Sequence, residues 1–449
     1  MDFLSYVNEH KERILERTKA LLRFPSMLDH FDPNSATPFG EPIDAALRWF
    51  LKLAHDDGFV TKNIEGYAGH IEIGEGEELL GILCHLDVVP PGDGWSHDPF
   101  DPVVKDDKLF ARGAMDDKGP TMAAYMALLF LKELGVTFDK RVRLILGTDE
   151  ETAWRGIHEY FKVEEMPTFG FAPDASFPLI YGEKGLYSFD LEGSFQDDAL
   201  IEFYCGERYN VVPDYAECIL AVDLEEPFKQ FLSYHGFAGD VKGNKYKVYG
   251  KNAHAMTPHL GVNAGFILAQ FLNEHLDNPY LKFIQEKLAF DPYAEKLGLE
   301  LYDEETKHLT LNAGIFRYNK EQVLIGLNIR YPRTYAFKDS EEKITKKAKK
   351  YGLSYHFKNN MPPHYTDPND PLVKTLLEVY QDYTQDVQSQ PFTIGGGTYA
   401  RALDKGVAFG MMMPGRKDVA HQADEHLFLE DLFLGTAIYM EAIYRLTRG

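Results

Sequence analysis

The sequence predicts an α/β protein in which a mostly parallel sheet forms one domain and a second, α+β domain is inserted into it. Three observations predict this. Over residues 1–186, short apolar runs bounded by turn residues alternate with stretches of helical periodicity, as in a largely parallel sheet. From about Leu186 the texture changes to period-2 alternation, as in Tyr187-Ser-Phe-Asp-Leu-Glu192 and Lys245-Tyr-Lys-Val-Tyr249. After the Pro-rich break Met361-Pro-Pro-His364, helix and apolar strand patterns of the first kind return. At 449 residues the chain is too long for one ordinary core. The expected domains are therefore 1–186 with 362–449, and 187–361 between them.

In chain order, residues 3–22 carry apolar positions at Leu4, Val7, Ile14, Leu15 and Leu21 among charges, which predicts one amphipathic helix. A second helix is expected from about Pro42 to Asp57. Strands follow at Val60–Ile64, His70–Ile73 and Leu79–Cys84, the last a continuous apolar run suited to a sheet covered on both faces. A turn rich in Pro and Gly spans Pro90–Gly94, then comes a helix over Gly119–Leu134 and a strand over Val142–Leu146. In the second domain, Leu309–Asn312 and Gln322–Ile329 are further strands, and Gly265–Leu272 is plain helix. Leu372–Tyr383 is the helix and Val407–Met413 the apolar segment that resume the first domain.

Composition excludes several classes. Lys and Arg number 47 against 70 Asp and Glu, a net charge of −23, which argues against nucleic acid or an anionic membrane as partner. The first residues lack the basic and apolar regions of a signal peptide, and no apolar run reaches membrane-spanning length. Cys84, Cys205 and Cys218 lack metal-type spacing and fit reduced thiols that pack in a core, so a cytoplasmic protein is expected.

The chemistry concentrates at predicted strand ends and loop tips. Asp149-Glu150-Glu151 follows the strand Val142–Leu146, and three adjacent carboxylates repel one another unless cations or protons neutralise them. His85 and Asp87 lie just beyond Cys84, where a ring N–H could find a carboxylate partner. Asp116 and Asp117 sit between Gly113 and Gly119 at the start of a helix, more acids than a helix cap needs. Asp174 closes Phe169-Gly-Phe-Ala-Pro-Asp174, and His421 lies in Ala420-His-Gln-Ala-Asp-Glu-His426. In open α/β sheets, ligands gather at the carboxyl ends of strands. Imidazole and carboxylate donors without thiolate suit a hydrolytic Zn²⁺, Mn²⁺ or Co²⁺ centre.

These motifs, His85-Leu-Asp-Val-Val-Pro90, Arg112-Gly-Ala-Met-Asp-Asp-Lys-Gly-Pro120, Gly147-Thr-Asp-Glu-Glu151 and Pro173-Asp-Ala175, resemble the co-catalytic dimetal peptidases and deacylases. That family includes carnosinase, acetylornithine deacetylase and succinyl-diaminopimelate desuccinylase. Lys251–Ala264, Gly395–Arg401 and the His421 segment look most like its bacterial dipeptidase V branch. The resemblance implies a zinc-peptidase catalytic domain with an inserted lid and two Zn²⁺ per chain, with Mn²⁺ or Co²⁺ as substitutes. It implies that His85 and Asp174 hold one ion, Glu151 and His421 the other, and Asp116 bridges them. Asp87 would orient His85, Glu150 would be the general base, and the Asp116–Asp117 peptide would be cis.

For the second domain, the resemblance implies that His254 donates to the oxyanion. Arg330 would grip the substrate's free carboxylate, with Asn210 and the backbone of Gly395, Gly396 and Gly397 at the same end. The stretch 187–361 is longer than the dimerising lid of many relatives, which implies a monomer acting on small peptides. The expected activity is dipeptide hydrolysis, with β-Ala-Xaa or Xaa-His dipeptides among the candidate substrates. N-acyl-amino-acid deacylation and a catalytically silent metal-dependent binding protein are the competing readings.

Overall fold

The structure is a computed structural model that describes residues 1–195 and 197–448. The chain divides into two compact units. One comprises Met1–Tyr181, Tyr365–Phe392 and the residues from Thr398 onward; the other comprises Gly182–His364 and Thr393–Gly397. The five-residue piece Thr393–Gly397 thus groups with the second unit, although the sequence pattern assigns 362–449 as a whole to the first.

The first unit is built on a sheet whose strands run in the order Val60–Ile64, Ala68–Ile73, Arg141–Gly147, Leu79–His85, Phe169–Ala172 and Gly406–Ala408, with Ile180 paired to Ala408 beyond the last. Its centre is parallel: Leu79–His85 runs alongside both Arg141–Gly147 and Phe169–Ala172, and Gly406–Ala408 adds to the latter. Its flanks are antiparallel, because Val60–Ile64 and Ala68–Ile73 form a hairpin that joins Arg141–Gly147. Leu79–His85 is buried along its full length, in keeping with its unbroken apolar sequence.

Helix Lys118–Glu133 is buried on every face from Lys118 to Leu131 and packs against Lys11–Leu22, Leu429–Leu446 and the central strand. A helix that is apolar all round belongs inside a core, and its small residues allow close approach. The expected single helix over 3–22 is two helices, Phe3–Glu9 and Lys11–Leu22, broken at His10. The His10 ring stacks on Tyr6, and its Nδ1–H donates to the Tyr6 carbonyl at 2.8 Å. That carbonyl is then taken by a side chain, and the His10 amide turns to Val7 instead.

The second unit is an eight-stranded antiparallel sheet in the order Ala238–Lys242, Lys245–Tyr249, Tyr215–Leu220, Leu200–Cys205, Thr310–Tyr318, Val323–Tyr331, Gly185–Gly193 and Leu353–Met361. Helices Glu225–His235, Ala264–His275 and Lys338–Lys349 contribute buried side chains to its core. Cys84 lies in the first core, Cys205 and Cys218 in the second, all buried and unpaired. Among the described residues, no helix is long and apolar enough to cross a membrane.

Candidate metal centre and catalytic site

The parallel strands Leu79–His85, Arg141–Gly147 and Phe169–Ala172 end side by side, with His85 in register with Gly147. Their carboxyl ends therefore deliver His85, then Glu150 and Glu151, then Asp174 to one place. Asp116 arrives from the loop before helix Lys118–Glu133, where Gly113 turns the backbone at φ +83°. His421 arrives from the loop ahead of helix Leu429–Leu446, which packs on Lys118–Glu133.

Two groups of ligand-type atoms result, His85 with Asp116 and Asp174, and Asp116 with Glu151 and His421. Within each group the atoms lie within 4.8 Å of one another. Asp116 belongs to both: its Oδ1 is 3.0 Å from His85 Nε2, and its Oδ2 is 2.9 Å from His421 Nε2. Asp174 Oδ2 stands 3.8 Å from His85 Nε2, and Glu151 Oε1 3.1 Å from His421 Nε2. The Asp116–Asp117 peptide is cis.

The ring of His85 is fully buried, and its Nδ1 faces the backbone carbonyl of Asp87 at 3.0 Å. With a metal bound, the proton on Nδ1 would be donated there and the Nε2 lone pair would be free for the ion, the tautomer a metal ligand requires. The Asp87 carboxylate stands farther from that ring, at 3.6 Å, and is engaged elsewhere. Its two oxygens accept from the N–H groups of Glu150 at 3.1 Å and Glu151 at 3.0 Å. Resemblance alone gives Asp87 the task of orienting His85; the structure has its backbone carbonyl meet the imidazole and its carboxylate fork onto the Glu150–Glu151 backbone.

Asp117, the neighbour of Asp116, belongs to neither ligand group and accepts from the His85 N–H at 3.2 Å and the Thr121 hydroxyl at 3.0 Å. Asp149 is likewise committed to its own turn. It takes Arg155 through two guanidinium bonds at 2.8 and 2.7 Å and the Thr152 hydroxyl at 2.8 Å. The acidic run thus separates into a turn-forming Asp149 and the pair Glu150 and Glu151, which face the cluster.

Electrostatics describe a site short of positive charge. Burial, followed by neighbouring Asp116, pushes Glu151 up to about 7 and Asp174 up to about 6. Burial also raises Glu150 far above the usual carboxylate range, helped by Asp174, Glu151 and Asp116 although His85 opposes it. Burial would raise Asp116 too, but His421 and His85 more than offset that and lower it. Contact with Asp116 and Glu151 lifts His421 to about 11. The histidine protons stand in for cations among these carboxylates. A donor set of two imidazole Nε2 atoms and three carboxylates, one of them shared, is the chemistry that holds a pair of divalent ions.

The remaining predicted residues lie in the second unit. His254 is exposed, and its Nδ1 accepts from the Met256 N–H at 3.2 Å, which leaves the proton of the neutral ring on Nε2. Desolvation by surrounding groups, then the Arg330 charge, lowers His254 to about 4, a shift softened by the ring's exposure to solvent. Arg330 is buried in the strand Val323–Tyr331, with its Nε donating to Asn328 at 2.7 Å and a guanidinium nitrogen 3.5 Å from the Gly395 carbonyl. Asn210 is exposed, and its carbonyl accepts from the Ala255 N–H at 2.9 Å. Gly395 and Gly396 are buried and Gly397 exposed. A Cβ on Gly395 would lie 2.9 Å from Met256 Cβ, so this backbone approach needs glycine.

Pattern reasoning missed the pair Arg112 and Glu425, which are fully buried against each other beside Asp116. Both fall inside motif segments, yet nothing in either segment signals that the two charges meet.

A protein that gathers such donors at the carboxyl ends of parallel strands is a hydrolytic metalloenzyme in class, and comparison with known proteins makes that class a metallopeptidase. The chain belongs to peptidase family M20/M25/M40, whose profile matches residues 81–445. A Staphylococcus aureus protein (strain bovine RF122 / ET3-1) named "putative dipeptidase" is 42% identical over 98% of each chain. Among solved structures, human carnosine dipeptidase 1 superposes with a TM-score of 0.62 at 16% identity, covering 99% of this chain and 98% of that one. The dipeptidase Dug1p from Saccharomyces cerevisiae has a TM-score of 0.59 at 14% identity with the same coverage. At these identities the two structures speak for the fold.

Proposed function

We propose that the protein is a dipeptidase that binds two divalent ions, Zn²⁺ with Mn²⁺ or Co²⁺ as substitutes, and hydrolyses short peptides bearing a free C-terminal carboxylate. One observation carries the proposal: the two oxygens of Asp116 face two histidines, each histidine with a further carboxylate beside it. His85, Asp116 and Asp174 would hold one ion, and Asp116, Glu151 and His421 the other.

When bound, such ions supply an acidified water and a polarising charge for the scissile carbonyl. The chain's own residues do the rest. Glu150, the carboxylate of the cluster outside both ligand groups, takes a proton from the attacking water and passes it to the leaving amine as the C–N bond breaks. Burial and the neighbouring carboxylates raise the proton affinity of Glu150, and the charge of bound ions would bring it back into the range of a working base. From the second unit, His254 donates its Nε2–H to the oxyanion. Arg330 and Asn210 receive the terminal carboxylate together with the Gly395–Gly397 backbone, Arg330 offering a two-pronged donor that Asn328 holds in orientation. The proposal includes a cytosolic, monomeric enzyme, supported by buried, unpaired cysteines and by the extended sheet of the second unit.

The test is a panel of dipeptides and N-acetyl or N-succinyl amino acids, assayed after chelation and after return of each metal. Dipeptide hydrolysis that is lost with chelator and restored by metal is the expected result. Preferential cleavage of acyl amino acids would make the protein a deacylase, and binding without turnover a silent relative.

A further inference from the structure

Among the ion pairs of the described residues in the first unit, outside the ligand atoms, Arg112 with Glu425 is the most completely buried, at 1% and 0% side-chain exposure. Every polar contact of this glutamate leads toward the metal-ligand loops. Its Oε1 accepts from the N–H groups of Met115 at 2.9 Å and Asp116 at 3.2 Å. Its Oε2 takes Arg112 Nη1 at 2.5 Å, and Arg112 in turn donates to the Pro91 carbonyl at 3.1 Å and lies over the Trp95 ring. The Glu425 carbonyl accepts from the Ala111 N–H at 3.1 Å, and the next residue, His426, pairs with Phe110. The same loop begins with His421, whose Nε2 meets Asp116.

We infer that Glu425 is a positioning residue, which fixes the backbone that carries the shared carboxylate of Asp116 and locks it to the loop that carries His421. The inference rests on the metal-centre reading above. An aspartate that serves two ions must present both oxygens at once, so a small rotation of its backbone spoils both groups together. Two N–H bonds to one ionised oxygen oppose that rotation, and Arg112 compensates the charge that would otherwise be buried alone. The pair therefore has a local task, to hold one acceptor oxygen against two amides, and any contribution to overall stability is separable from it.

The experiment compares two double variants. Arg112→Met with Glu425→Gln keeps an oxygen facing the Met115 and Asp116 amides; Arg112→Met with Glu425→Met removes it. Neither leaves an unpaired buried charge. Chelator-treated proteins are titrated with Zn²⁺ by calorimetry, and kcat and KM are measured on a dipeptide at saturating metal. The Gln pair should bind near the wild-type affinity. The Met pair should bind roughly 10- to 100-fold more weakly, with an unchanged KM and with far-UV dichroism matching the Gln pair. Equal affinities in the two folded pairs would overturn the inference while leaving the metal-centre reading intact. A wild-type protein that binds no Zn²⁺ would overturn both. If the Met pair does not fold, Arg112→Leu with Glu425→Leu takes its place: a loss of roughly tenfold or more in Zn²⁺ affinity relative to the Gln pair would support the acceptor role, and an affinity equal to that of the Gln pair would overturn it.

Discussion

Replacing Asp87 by Ala should cripple turnover while leaving the imidazole contact of His85 in place. That contact is made by the Asp87 backbone carbonyl, which the substitution retains. The carboxylate is what disappears, and with it the bonds to the N–H groups of Glu150 and Glu151 at 3.1 and 3.0 Å. A hydrogen bond to a charged group contributes about 1.5–3 kcal/mol, so the pair amounts to about 3–6 kcal/mol of order in this turn. Taking the lower end, because such terms are not additive, about 3 kcal/mol corresponds to roughly a 100-fold loss in the population that holds Glu150 in place.

Asp87→Asn keeps one acceptor oxygen and sets an amide donor against the other N–H, so it should lose roughly tenfold or more. The assay is kcat and KM on a dipeptide across a metal titration. A carboxylate whose only task was orienting His85 would show its defect in metal affinity, and excess metal would restore kcat. With Asp87 holding the Glu150–Glu151 turn, kcat stays low at saturating metal. Wild-type kcat for Asp87→Ala under those conditions would refute the reasoning.

Two further outcomes follow from the same geometry. Burial and then the Arg143 charge lower buried His70 from 6.5 to about 4, and the Tyr160 hydroxyl donates to its Nδ1 at 2.8 Å. Between those values the unfolded chain binds the extra proton, so this contribution is complete above pH 6.5 and is lost as pH falls toward 4; a shift of about 2.5 units corresponds to about 3 kcal/mol. Urea-unfolding curves at pH 7 and pH 4.5 should differ less for His70→Gln than for the wild type, and an unchanged difference would count against it. Arg330→Lys keeps the charge but loses the guanidinium fork and the Nε–H that Asn328 accepts, so KM should rise about tenfold or more with a smaller change in kcat. An unchanged KM would remove Arg330 from substrate recognition.

Which parts of this molecule are legible in its sequence depends on how local the signal is. The centre of the first sheet is legible because its strands are short, largely apolar and almost wholly buried, and each ends at or within a few residues of the acid or histidine it delivers. The antiparallel flank is less so, since the hairpin Val60–Ile64 and Ala68–Ile73 pairs by register and carries no motif. The break at His10 depends on a ring bonding back to Tyr6, a choice the helical period cannot encode. Thr393–Gly397 groups with the second unit through pairing and close approach to Met256, which composition does not reveal. Arg112 and Glu425 are separated by 313 positions, and their union is visible only once Lys108–Phe110 and His426–Phe428 are seen to pair.

In the proposed mechanism Glu150 moves the proton at a centre held by its neighbours and does not itself hold metal. Glu150→Gln tests it most directly, with metal stoichiometry and single-turnover hydrolysis of a dipeptide measured on the same preparation. Two ions per chain, as in the wild type, and a loss in rate of roughly 10²- to 10⁴-fold, the usual contribution of a positioned base, are expected. Turnover near the wild-type rate with both ions bound would contradict it.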